Sequence, residues 1–166
     1  MKTSLVLTCL LALSFSLTAN ASWRSNTKKT LKEYKNECKT TEVTVDSIVK
    51  NESIQGHIKG LPQDAYSKFK VVFYVKTNRW YVHPYQFQNG QDEGLSYSNL
   101  KADGTFRVKT VLREVPSKQM VAVLVPKDYK IKSQRLFLKP FLGFIGGILK
   151  YECAHTLVEG KGDFLL

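Results

Sequence analysis

The chain of 166 residues is poor in the side chains that catalysis and metal binding usually require. It has three histidines and three cysteines. No two histidines stand at a His-x-His or His-x-x-x-His spacing, so no local metal-ligand set is present. No Cys-x-x-Cys occurs, which removes the commonest thiol-redox motif, and His155 two residues from Cys153 does not make a catalytic pair by itself. Acid is scarce, with 14 Asp and Glu against 25 Lys and Arg. Asp92-Glu93 is the only adjacent carboxylate pair, and sequence neighbours seldom flank a sugar from opposite sides as glycoside hydrolysis demands. Asp103-Gly104 lacks the further Asp or Asn positions of a calcium loop and reads as a turn. His57, His83 and His155 read as single polar residues. The chain is therefore expected to be non-enzymatic, with no catalytic residue, no metal and no cofactor.

Long apolar runs are also lacking. Leu5 to Leu17 is apolar but shorter than the roughly 20 residues of a membrane span. With Lys2 before it and Ala19-Asn20-Ala21 after it, the run reads as a signal peptide, residues 1–21, cleaved after Ala21. Cys9 lies inside the apolar region and not at a lipoprotein boundary. One domain, 22–166, is expected to remain, in a secreted or periplasmic location. It would carry a formal charge of about +10, which favours polyanionic partners or else serves solubility alone. Two cysteines survive cleavage. In an oxidising compartment Cys38 and Cys153 are most simply a disulfide, closing a loop of roughly 115 residues and joining the two ends of the chain.

Residues 25–38 place Leu31, Tyr34 and Cys38 three and four apart, which predicts a short amphipathic helix. Its charged side, Lys28, Lys29, Lys32 and Lys35, reads as a solvated face. From Glu42 the period becomes two. Val43 and Val45 alternate with polar residues, then Ile54, Gly56 and Ile58 do so beyond a hairpin-sized Lys50-Asn51-Glu52 connection. After Gly60-Leu61-Pro62 and a polar loop, residues 68–77 form the strongest strand signal. Phe69, Val71, Phe73 and Val75 share one face, and Lys68, Lys70 and Lys76 share the other with Val72 and Tyr74. Asn78-Arg79 reads as a turn, and residues 88–94 as a loop. Asp103-Gly104 opens a strand over 105–111 in which Phe106 and Val108 point in and Arg107 and Lys109 point out. Val121 to Val125 suits a strand buried on both faces, stopped by Pro126. Short strands separated by turn residues argue an all-β sandwich with a short N-terminal helix, an open barrel being the alternative. Leu136 to Leu149, interrupted by Lys139, Pro140 and three glycines, reads as a core segment. Membrane contact is its alternative, because basic residues bracket it.

The aromatic run is the best lead to a ligand. Trp80, Tyr81 and Tyr85 could stack on a sugar ring, while Lys68, Lys70, Lys76, Arg107 and Lys109 supply electrostatic attraction. The competing reading sends Trp80 and Val82 into the core and leaves Tyr81, His83 and Tyr85 outside. Interleaved aromatic and basic residues could also hold nucleic acid, but export makes that partner less available. Asn51-Glu52-Ser53 is a glycosylation acceptor in a eukaryotic host.

Three stretches carry a resemblance: Val71 to Pro84 with its Trp80-Tyr81 pair, Asp103-Gly104-Thr105-Phe106, and Val121 to Tyr129. Together they resemble an accessory, immunoglobulin-like β-sandwich module found beside secreted carbohydrate-active enzymes. The resemblance covers about half of the mature chain, leaving residues 22–40 and those from Leu136 onward outside it. It implies a non-catalytic, glycan-binding β-sandwich. The leading expectation is thus a secreted binding module for a polysaccharide or anionic cell-surface polymer. Peripheral membrane contact or a purely structural role are the alternatives.

Overall fold

The computed structural model describes residues 25–77, 80–83, 96–110, 117, 119–131 and 151–160. Within them, eight strands form two antiparallel sheets. In the first, β1 (Glu42–Val49) and β2 (Ser53–Lys59) pair as a hairpin, and β6 (Thr105–Lys109) adds to β2. In the second, the order is β4 (Trp80–Val82), β3 (Phe69–Lys76), β7 (Gln119–Pro126) and β8 (Ala154–Glu159). A further short strand, β5 (Tyr97–Asn99), pairs β3 on the edge that β4 also uses.

Period-two patterning explains which side chains meet. Val43, Val45, Ile54, Ile58, Phe106 and Val108 of the first sheet face Phe69, Val71, Phe73, Val75, Met120, Ala122 and Leu124 of the second, and these make the core between the sheets. Alternation sends every second residue of a strand to one face, so the inward sets anticipated for β1, β2, β3 and β6 are the observed ones. Gly56 sits in the middle of β2 opposite Phe106. A Cβ there would collide with the Thr44 carbonyl oxygen and the Phe106 ring, so the strand requires glycine at this point.

Two turns set the register. Asn51 takes a left-handed conformation (φ 57°) in the β1–β2 hairpin, a region that asparagine tolerates better than most residues. Asp103 accepts hydrogen bonds from the Thr105 backbone N–H (2.9 Å) and hydroxyl (2.7 Å), and Gly104 (φ 77°) donates to the Lys101 carbonyl. This turn carries the chain from β5 in one sheet to β6 in the other. The polar loop anticipated after Pro62 is a 3₁₀ helix, Gln63–Lys68.

In the second sheet, β3 and β7 are buried on both of their faces. Val121 to Val125 are all 0% exposed, as their composition suggested. Val72, Tyr74, Trp80, Val82, Val121, Val123, Val125 and Tyr129 form a separate apolar cluster on the side away from the first sheet. That cluster corrects the expectation of a basic, solvent-facing side of β3. Lys70 is 8% exposed, its ammonium 4.8 Å from the centre of the Tyr97 ring. Ile131 and Tyr151 also pack on this cluster. Leu136 to Leu149 lies outside the described residues, as do Asn78-Arg79, residues 88–94 and position 111.

The N-terminal stretch is helical over 25–33 (α1) and again over α2 (Glu37–Thr40). Leu31, Tyr34 and Cys38 turn inward onto the core between the sheets, as their spacing predicts. The Tyr34 ring meets Phe69 edge-on at 5.6 Å, and the buried Thr27 hydroxyl donates to Asp128 at 2.8 Å. The Cys38–Cys153 disulfide is formed, with Cα atoms 4.8 Å apart. It ties α2 to the start of β8, and it fits an oxidising compartment. Among the described residues no helix is long and apolar enough to cross a membrane.

Candidate functional site

The aromatic candidates do not form an open platform. Trp80 is 3% exposed and belongs to the outer cluster of the second sheet, with its indole N–H buried. Register explains this: Trp80 pairs with Lys76 and Val82 with Tyr74, so the alternate residue Tyr81 is left as the half-buried member of β4. His83, which the competing reading left outside, is fully buried, its backbone N–H bonded to the Phe73 carbonyl at 3.0 Å. Tyr85 lies outside the described residues.

The basic candidates separate into four places. Lys68 and Lys76 stand at opposite ends of β3, about 26 Å apart at 3.3 Å per residue. The Lys68 ammonium donates to the Glu33 carboxylate at 2.8 Å and the Tyr34 hydroxyl at 2.6 Å. The Glu33 carboxylate, followed by the Tyr34 hydroxyl, holds its pKa above the ordinary lysine value. Lys68 therefore fastens α1 to β3. Lys70 is half-starved of water, and desolvation lowers its pKa. Arg107 and Lys109 are exposed neighbours on the outward face of β6, about 7 Å apart.

Around Arg107 and Lys109 the strands build an open cleft of about 450 Å³, lined by Asn51, Glu52, Arg107 and Lys109. Pairing puts Ser53 opposite Lys109 and Gln55 opposite Arg107, which brings the β1–β2 hairpin beside the end of β6. The Thr110 backbone N–H donates to the Glu52 carbonyl (3.0 Å) and fixes that junction. Arg107 reaches the Glu52 carboxylate at 3.2 Å, whereas Lys109 has no ion pair among the described residues. The outward face also carries Thr44, His57 and Thr105 in one cross-strand row, with His57 2.8 Å from Asp46, and the exposed Val49 in the row of Ser53 and Lys109. The cleft lining brings the Arg107 and Lys109 donors beside the Glu52 carboxylate.

One cationic group was set aside in the sequence as a solvated face. Lys28, Lys29, Lys32, Lys35 and Lys39 are all exposed on the helical stretch, and none makes an ion pair among the described residues. The signal was readable: 28, 32, 35 and 39 are spaced four, three and four, which aligns side chains along one side of a helix. Among the described residues no three His, Cys, Asp or Glu side chains converge as a metal site.

No family model matches this chain, and no curated protein or solved structure matches it either.

Proposed function

We propose that the protein is a non-enzymatic module that works outside the cytosol and binds an anionic surface polymer, acidic carbohydrate above all. The observation that carries this reading is the cleft. Two exposed cations two residues apart on one strand face stand with a hairpin Asn and Glu on an open sheet surface. Attraction by Arg107 and Lys109 replaces aromatic stacking as the main source of affinity, because Trp80 is interior. Exposed charge pairs are weak singly, so affinity has to come from repeated contacts along a polymer and falls as salt rises.

Two antiparallel sheets packed on one core support the module reading. Strands β1, β2 and β6 share one sheet while β3, β7 and β8 run side by side in the other. With β1, β2, β3, β6, β7 and β8 taken as A, B, C, E, F and G, we read this order as A-B-E against C-F-G of an immunoglobulin-like sandwich, from which β5, at the place of D, departs by pairing β3 and not β6. The disulfide is placed differently from the inter-sheet bridge of antibody domains, since it joins the helix before the first strand to the start of the last.

A glycan array probed with the oxidised protein at low and moderate salt tests the proposal. Binding confined to acidic glycans, and lost in an Arg107→Ala/Lys109→Ala variant, is the expected result. Silence across the acidic glycans, or binding indifferent to both substitutions and to salt, would remove the cleft from the account.

A further inference from the structure

We infer that the lysine row of α1 and α2, formed by Lys28, Lys32, Lys35 and Lys39, is a second binding surface, which takes one strand of a linear polyanion such as an acidic polysaccharide along the helix axis. It shares the partner class proposed for the cleft but none of its residues, so either surface can fail without the other.

A turn, residues 34–36, joins α1 to α2 and carries Lys35. Between α1 and α2, Asn36 keeps helical dihedrals (φ −77°, ψ −45°), and the backbone N–H groups of Tyr34 and Cys38 donate to the carbonyls of Thr30 and Tyr34. Lys28 and Lys32, four residues apart within α1, stand about 6 Å apart along its axis at 1.5 Å per residue. That spacing is close to the length of one sugar residue, so successive charged groups of an extended acidic chain can each meet an ammonium.

Nearby acid does not cancel the row. The Glu33 carboxylate is held by Lys68, and Glu37 is partly buried at the first turn of α2. Like charges three and four apart weaken a helix by a few tenths of a kcal/mol per pair, so the row stands at some cost to the helix that carries it. The helix persists because it is fastened at Thr27 to Asp128, at Tyr34 to Phe69 and Lys68, and at Cys38 to Cys153. Fastening also preorganises the lysine backbone, which reduces the ordering cost of binding.

A soluble polymer fits this surface better than a lipid bilayer. An interfacial helix inserts its apolar face among acyl chains. Here Leu31 and Tyr34 are committed to the core between the sheets. The large hydrophobic residues exposed among the described residues, Val49 and Leu157, are on β1 and β8 and not on the helix.

The test compares three variants of the oxidised protein on immobilised dextran sulfate, with neutral dextran as the blank. The row variant is Lys28→Gln, Lys32→Gln, Lys35→Gln and Lys39→Gln. A control of equal charge loss is Lys59→Gln, Lys101→Gln, Lys127→Gln and Lys130→Gln, and the third variant is Arg107→Ala/Lys109→Ala. Thermal unfolding confirms that each is folded. The row variant is expected to lose at least about tenfold in affinity and to lower the slope of log affinity against log salt by about 3, at roughly 0.7 per lost contact. The control is expected to lose less than about threefold, as for charge that acts only at long range. Equal losses in row variant and control would overturn the inference, since net charge alone would then explain binding. Loss in the cleft variant with an intact row variant would overturn it while leaving the cleft standing, and the reverse pattern would sustain it without the cleft. Tighter binding to vesicles of anionic lipid than to dextran sulfate, abolished in the row variant, would make a membrane the partner and overturn the polymer assignment.

Discussion

Trp80 illustrates how a residue type that suggests a ligand can be claimed by the core. Its indole is buried beside Tyr74 and Val82, and complete truncation of a buried Trp costs about 3 to 5 kcal/mol. Trp80→Ala is therefore expected to unfold much of the population, whereas Trp80→Phe is expected to stay folded and to bind acidic polymer with unchanged affinity. Urea unfolding together with a binding isotherm distinguishes these outcomes. In the same cluster, burial pushes the Tyr129 phenol up to about 12 and raises Tyr74 further still. Both folded values exceed that of an unfolded tyrosine, so the folded state retains protons that the unfolded state releases above about pH 10. The associated stability is complete below that pH and is lost as pH rises toward 12. Tyrosinate absorbance during an alkaline titration should show exposed tyrosines ionising near pH 10 and the buried pair only at higher pH, with unfolding. Ionisation of all tyrosines near pH 10 in a folded protein would contradict this burial.

At the scale of single elements, β2 and β7 show what local pattern conveys. The inward set Ile54, Gly56 and Ile58 was legible because alternation is a property of neighbouring residues. The reason position 56 must be glycine was not, because the colliding groups, Thr44 and Phe106, come from two other strands. Gly56→Ala is expected to destabilise the fold by about 1 to 3 kcal/mol, the usual range for forcing an extra carbon into a packed interior. Denaturant melts of the purified variant check this. The unbroken apolar run of β7 announced burial on both faces. In β3 the alternating lysines masked the same condition, since Lys68 sits beyond the strand, Lys76 sits at its end, and Lys70 between them lies against Tyr97. Period two assigns a side chain to a face, but whether that face meets water depends on segments distant in sequence. The lysine row on α1 and α2 was legible as a spacing, and only the docking of Leu31 and Tyr34 showed which side of the helix was left open.

For the molecule as a whole, the disulfide joins the helical stretch to the last strand of the second sheet, across 115 residues. Chain-entropy reasoning puts its stabilisation at up to about 4.7 kcal/mol. A Cys38→Ser/Cys153→Ser variant is expected to melt at a clearly lower temperature and to bind polyanion more weakly, because α2 loses its tether. Scanning calorimetry and a binding isotherm on the same sample check both. This pairing was readable from a cysteine count, whereas the joining of Arg107 and Lys109 to the Asn51–Glu52 hairpin was not, being a product of the β2–β6 register. The central claim is that the protein captures an anionic polymer by charge and not by an aromatic platform. Its most direct test is titration calorimetry of the oxidised protein with dextran sulfate and with neutral dextran, each at several salt concentrations. Binding to the sulfated polymer alone, weakening steeply with salt and unchanged by Trp80→Phe, is the predicted result; equal binding to both polymers, or affinity insensitive to salt, would contradict it.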